Sequence, residues 1–179
     1  MLAIYVCTFP KYKDKDIMRA YFALIYVAVL LSFVLQIRAM EAGLLLAFFV
    51  LISSWINDIF AYFVGSAIGK HKFSPKVSPN KSVEGFVGGV LGAGLIGFLF
   101  GFVFSKHIPL PSMYCGIIAA LGAIPAVIGD LAASAIKRDN NIKDYSNLIP
   151  GHGGIIDRID SILFTAPIIY YLVELFNIL

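Results

Sequence analysis

Residues 134–160 read SAIKRDNNIKDYSNLIPGHGGIIDRID and hold Lys137, Arg138, Lys143, Asp144, Asp157, Arg158 and Asp160, with His152 set between glycines. Carboxylates offer hard oxygen donors to a divalent cation such as Mg2+. Lysine and arginine offer donors to phosphate oxygens. Gly153 and Gly154 let the backbone approach a ligand closely. Upstream, Asp130, Ser134 and Lys137 are spaced four and three apart, which places them on one face of a helix with Arg138 beside them. Such a face can hold a metal deep and an anion shallow. His152 alone would more often be a satisfied loop histidine than a catalytic one, and the glycines on both sides weaken that reading.

A second basic segment, GKHKFSPKVSPNKSVEG, spans residues 69–85. Its plain reading is a charged anchor for anionic headgroups through Lys70 and Lys72. Pro75 and Pro79 stiffen it, however, and Lys81 and Ser82 stand at the start of the next helix, where exposed N–H groups favour anions. A polyphosphate would fit there, although the segment is no Walker loop.

The elements that must position these groups lie in a membrane. Of the 179 residues 59% are hydrophobic and only 14% charged, and the mean hydropathy is +0.86. These values lie outside the range of soluble domains. A bilayer core takes roughly 20 apolar residues per helix, and five stretches qualify: about 20–37, 42–64, 86–104, 113–136 and 160–178. The expected fold is therefore all-α, a polytopic integral membrane protein forming one membrane domain over 1–179, with loops at about 65–85 and 137–159. The opening residues do not have the order of a cleaved signal peptide. Cys7 and Cys115 fall on opposite sides of the membrane, so neither a disulfide nor a cysteine metal site is expected.

Lysine and arginine set the orientation. Twelve lie before the first span, in the 65–85 loop and in the 137–159 loop, whereas only Arg38 and Lys106 lie in the other connections. The rich side, with the N-terminus, is expected to be cytoplasmic. Asp58 and Asp130 each fall about six residues before the cytoplasmic end of their span, roughly 9 Å deep, and Asp157 and Asp160 open the fifth span. An acid in a bilayer needs a partner or a wet cavity. Each could be paired with a nearby basic residue to hold the bundle together, but several at one depth repel one another unless a cation sits among them. In the third span, Gly85, Gly89, Ala93, Gly97 and Gly101 recur every fourth residue, a smooth ridge for helix packing.

These motifs resemble those of the phosphatidate cytidylyltransferases, or CDP-diacylglycerol synthases. The resemblance rests on Ser134, Lys137, Arg138, Lys143, Asp144, Ser146, Pro150, His152 to Gly154, Asp157, Arg158 and Asp160, and on an earlier stretch, DIFAYFVGSAIGKHKFSPKVSPNKSVEG. It implies transfer of a cytidylyl group from CTP to phosphatidic acid, giving CDP-diacylglycerol and pyrophosphate. It further implies Mg2+ with K+ beside it, a homodimer, no nucleic-acid partner, and a site facing the cytoplasm in a bacterial inner membrane. Asp130 and Asp157 match the family's metal-binding aspartates, with Asp58 and Asp160 as further metal candidates. Lys137, Arg138 and His152 join them as catalytic candidates. Lys70, Lys72, Lys81, Ser82, Ser134, Lys143, Asp144, Gly153, Gly154 and Arg158 are candidates for holding substrate.

Three departures stand out. Ala133 replaces an acid that many relatives carry, Ser66 stands where an arginine is common, and bacterial members usually have a further hydrophobic N-terminal region, so the chain is expected to be either the C-terminal catalytic part or a short form. A CDP-archaeol synthase is the nearest alternative, from which His152 to Gly154 distinguish the chain. A cation transporter using the same acids is an alternative of another class, disfavoured by the apolar outer halves of the spans.

Overall fold

The computed structural model describes residues 1–75, 77–146 and 153–178. A short helix α1 (Leu2–Thr8) precedes five helices long and apolar enough to cross a membrane: α2 (Asp14–Ala39), α3 (Gly43–Ile68), α4 (Val83–Val103), α5 (Ser112–Asp139) and α6 (Ile156–Ile178). The protein is a polytopic all-α membrane protein. Every span runs beyond the apolar stretch read from sequence at one end or both, because polar residues at the ends continue the backbone hydrogen bonding past the hydrophobic run. Asp58 and Asp130 consequently lie ten and nine residues from their helix ends. At 1.5 Å per residue they are about 15 and 14 Å from those helix ends, the outer part of which lies past the apolar run. Their levels still match.

The 65–85 segment is more ordered than a loop. It folds into an antiparallel hairpin, β1 (Lys72–Ser74) and β2 (Ser78–Ser82), with Lys72 opposite Ser82 and Ser74 opposite Ser78. Pro79 is tolerated because both strands of a two-stranded ribbon are edges. The ribbon is stapled to α4. Phe73 stacks on Phe86 at 5.6 Å, Val83 N donates to the His71 carbonyl at 2.9 Å, and His71 Nδ1 meets Glu84 Oε1 at 2.6 Å.

Inside the bundle, α4 packs on α3 and α5 through its small residues, as the fourfold spacing implied. Gly85, Gly89, Gly92, Ala93, Gly97 and Gly101 are all buried. A Cβ on Gly85 would come within 2.7 Å of the Ala61 carbonyl oxygen. The large apolar core lies toward the opposite end from the hairpin, around Ile37, Leu46, Phe49, Ile118, Ile169 and Val173. At mid-depth Ser53 of α3 donates to the Ala119 carbonyl of α5 at 3.0 Å, and Thr165 of α6 to the Gly122 carbonyl of α5 at 3.4 Å. These hydroxyls are satisfied within the protein and act as interhelical glue rather than as a path. Cys7 and Cys115 are both free thiols.

Two of the spans contain wide turns. Leu24–Val29 in α2 and Ile52–Ile56 in α3 are π-helical. A π turn inserts a residue into the α register and rotates the remainder of the helix about its axis, and such turns recur at functional sites. The second lies immediately before Asn57 and Asp58.

Candidate active site

Four elements converge at the hairpin end of the bundle around a cavity of about 290 Å³. Asp58, Ala61 and Tyr62 come from α3, Phe73, Ser78, Asn80 and Lys81 from the hairpin, Gly85 and Phe86 from α4, and Val127 and Asp130 from α5. The Lys81 ammonium forms an ion pair with the Asp130 carboxylate, both partly buried. Ser82 also lines the cavity, and its Oγ accepts from Gly85 N at 3.1 Å, so the role visible here is the N-cap of α4. The helix start expected at Lys81 and Ser82 is present, with the serine capping it and the lysine facing the cavity in its pair with Asp130.

Asp58, Asp130 and Asp160 lie within electrostatic reach of one another. Asp160 is buried and accepts from Ser161 N at 2.8 Å. Among the described residues no three His, Cys, Asp or Glu side chains close into a ligand sphere. Carboxylates at one level repel one another, and the Lys81 cation compensates one of them. As a donor set, three carboxylates with no soft ligand fit Mg2+ in chemistry, since that ion binds one or two carboxylates together with substrate phosphates.

Asp157 has different company from that expected of a fourth member of this set. Its Oδ1 accepts from Lys137 Nζ at 2.8 Å, and its Oδ2 accepts from Tyr145 N and Gly154 N, each at 2.9 Å. The pair is largely buried, with side-chain exposures of 12% for Lys137 and 5% for Asp157. One carboxylate thereby ties the end of α5, the segment after it and the start of α6 together. Tyr145 reinforces the tie: its ring lies 5.4 Å from Lys137 Nζ and its hydroxyl donates to the Ala133 carbonyl at 3.4 Å. Burial pushes the Tyr145 phenol above its usual value, so it stays a neutral donor. Sequence reasoning passed over this tyrosine, although an aromatic inside an otherwise charged and glycine-rich motif was a usable signal.

The remaining candidates divide by exposure. Lys70, Lys72, Arg138, Lys143, Asp144 and Arg158 are exposed at the same end of the molecule, and Ser134 is half-buried on α5. Gly153 has φ +80°, a conformation that suits glycine, and a Cβ there would meet Asp144 Oδ1 at 3.2 Å. Gly154 is buried beside Ser146. His152 lies outside the described residues.

Fold and site together define a membrane-embedded protein whose acids and lysines gather at one end of a helical bundle. The pattern of the cytidylyltransferase family matches residues 1–176. Phosphatidate cytidylyltransferases from Bacillus subtilis, Aquifex aeolicus and Thermotoga maritima are 40%, 35% and 39% identical to it over 87%, 95% and 90% of this chain. The chain belongs to the cytidylyltransferase family. It spans 57%, 62% and 60% of the length of those three relatives.

Proposed function

We propose that this protein transfers a cytidylyl group from CTP to phosphatidic acid, forming CDP-diacylglycerol and releasing pyrophosphate, at the cytoplasmic face of a bacterial inner membrane. The observation that carries the reading is the convergence of Asp58, Lys81, Asp130 and Asp160 at one end of the bundle, next to the Lys137–Asp157 pair. A site built from acids, lysines and glycines is suited to phosphoryl transfer, where positioning and charge compensation supply most of the acceleration.

In the reaction a phosphate oxygen of phosphatidic acid attacks the α-phosphorus of CTP in line. The bond from that phosphorus to the oxygen bridging it to the β-phosphate breaks, and pyrophosphate carries away the electron pair. Little general-base work is needed, because the attacking phosphate is already anionic. Mg2+ bound by Asp130 with Asp58 and Asp160 would screen the charge between the phosphates, with K+ as a second cation. Lys81 is placed to exchange its pairing with Asp130 for a phosphate oxygen. Asp157 holds Lys137 and the turn at Gly154 in place, and the exposed Arg138 and Lys143 receive the nucleotide from water. Lys70 and Lys72 flank the hairpin where anionic headgroups lie. A homodimer belongs to the same reading, and the family resemblance supports it.

The test is pyrophosphate release by purified protein supplied with phosphatidic acid, Mg2+ and each nucleoside triphosphate in turn. Release with CTP alone is expected. Equal release with all four, or none without an ion gradient, would defeat the assignment.

A further inference from the structure

Every motif residue comes from α3 to α6, and the cavity is lined by α3, the hairpin, α4 and α5, yet Tyr26 of the first span packs against Phe164, four residues past Asp160. Tyr26 on α2 is buried, 8% exposed, and its hydroxyl has no hydrogen-bond partner. A buried O–H left unpaired is costly, so an oriented one needs an explanation. Its ring is fixed on two sides, stacked on Phe22 with centroids 5.3 Å apart and edge-on to Phe164 of α6 at 6.0 Å. The residue sits within the π-helical stretch Leu24–Val29, where the extra residue per turn changes which side of α2 faces the bundle. The ionisable groups within electrostatic reach of its oxygen are Tyr145, Asp160 and Asp130. Tyr26 is twelve residues into α2, about 18 Å along the axis, a depth comparable with that of Asp58 and Asp130.

We infer that Tyr26 is a further substrate-contacting residue, whose hydroxyl donates a hydrogen bond to a phosphate oxygen held over the Asp130 and Asp160 carboxylates. Neighbouring acids make the site hostile to a second anion, and a neutral donor compensates a phosphate oxygen without adding a cation that would compete at the carboxylates. The rigid ring contacts make the donor preorganised, which is the condition for such a bond to contribute to rate. The first span then completes the site rather than merely covering it. The phosphate could belong to the lipid or to the nucleotide, and the inference rests on the transfer reaction proposed above.

The test is Tyr26→Phe in the purified protein, a change that keeps the ring and its stacking and removes only the hydroxyl. Turnover should fall about 10- to 100-fold, the usual worth of a hydrogen bond to a charged group, while the Tm without ligand stays level or rises. A rise in KM for phosphatidic acid alone assigns the bond to the lipid phosphate, and a rise for CTP alone assigns it to the nucleotide. Phe164→Leu serves as the packing control, since it loosens the ring without touching the hydroxyl. A second readout is the rise in Tm that Mg2+ with inorganic pyrophosphate, or phosphatidic acid by itself, produces in the wild type and should not produce fully in Tyr26→Phe. That readout remains informative if the wild type turns over no nucleotide, an outcome that would count against the reaction and not against the contact. Wild-type turnover and ligand-induced stabilisation in Tyr26→Phe would overturn the inference. So would a loss in Phe164→Leu equal to that in Tyr26→Phe.

Discussion

At Asp130 and Asp157 the same carboxylate chemistry meets two different surroundings, and substitution by asparagine separates them. Asp130 faces the cavity opposite Lys81 and near two further acids. Asp130→Asn keeps the shape and removes the charge a hard cation needs, so turnover should fall by at least about 100-fold, with the Mg2+ dependence displaced to higher concentration and little change in Tm. Near-normal activity at low Mg2+ would disprove the cation role. Asp157→Asn acts on a buried pair. An ammonium left buried without its counter-charge costs about 3 kcal/mol, and an amide accepts more weakly from Tyr145 N and Gly154 N. This variant should lose activity together with stability and show faster proteolysis between residues 139 and 156. A loss of activity with unchanged proteolysis would shift Asp157 from holding the segment to direct ligation.

Among the elements, α4 against α3 is the packing on which the cavity depends. Gly85 contributes to the cavity wall, and a Cβ there would meet the Ala61 carbonyl oxygen at 2.7 Å and Gly65 Cα at 3.2 Å, both rigid backbone. Gly85→Ala should therefore push the helices apart, lowering stability by about 1 to 3 kcal/mol and raising KM for substrate. Gly94→Ala, whose Cβ would meet the Ala120 methyl at 3.1 Å and the Gly116 carbonyl oxygen at an ordinary contact distance of 3.4 Å, should be clearly milder in thermal unfolding of both variants side by side. The glycine ridge was legible because a fourfold repeat of small residues has few other uses in a membrane helix. Helix existence was legible for a similar reason, since an apolar run near 20 residues leaves little choice. The hairpin was not, because Pro75 and Pro79 read as loop, and a ribbon of two edges escapes the rule that excludes proline from sheets. Nor was the company of Asp157, since sequence shows that acids share a depth but not which lysine reaches which one. Tyr26 was the least legible of all. A tyrosine in an apolar helix looks like core, and only the π turn and the packing on Phe164 reveal the surroundings of its hydroxyl.

On the scale of the whole molecule, the hairpin, the start of α2 and the α5–α6 connection share one end, as the Lys81–Asp130 and Lys137–Asp157 pairs require of the hairpin and that connection. The connection between α4 and α5, with the exposed Lys106, lies at the other end. By sequence, twelve of the fourteen Lys and Arg residues fall in the segments of the first side, which the positive-inside rule predicts to be cytoplasmic. For the reaction proposed above that orientation has a functional consequence, because a charged nucleotide would arrive from the cytoplasm whereas a lipid substrate would arrive sideways from the inner leaflet. Labelling can test it with the exposed Cys7 replaced by serine, since the remaining native Cys115 is buried. In sealed cells, a membrane-impermeant maleimide should reach Lys106→Cys directly. It should reach Lys72→Cys and Lys143→Cys only after the membrane is opened. Labelling of positions 72 and 143 in intact cells would invert the topology and, with it, separate the site from the cytoplasmic nucleotide pool.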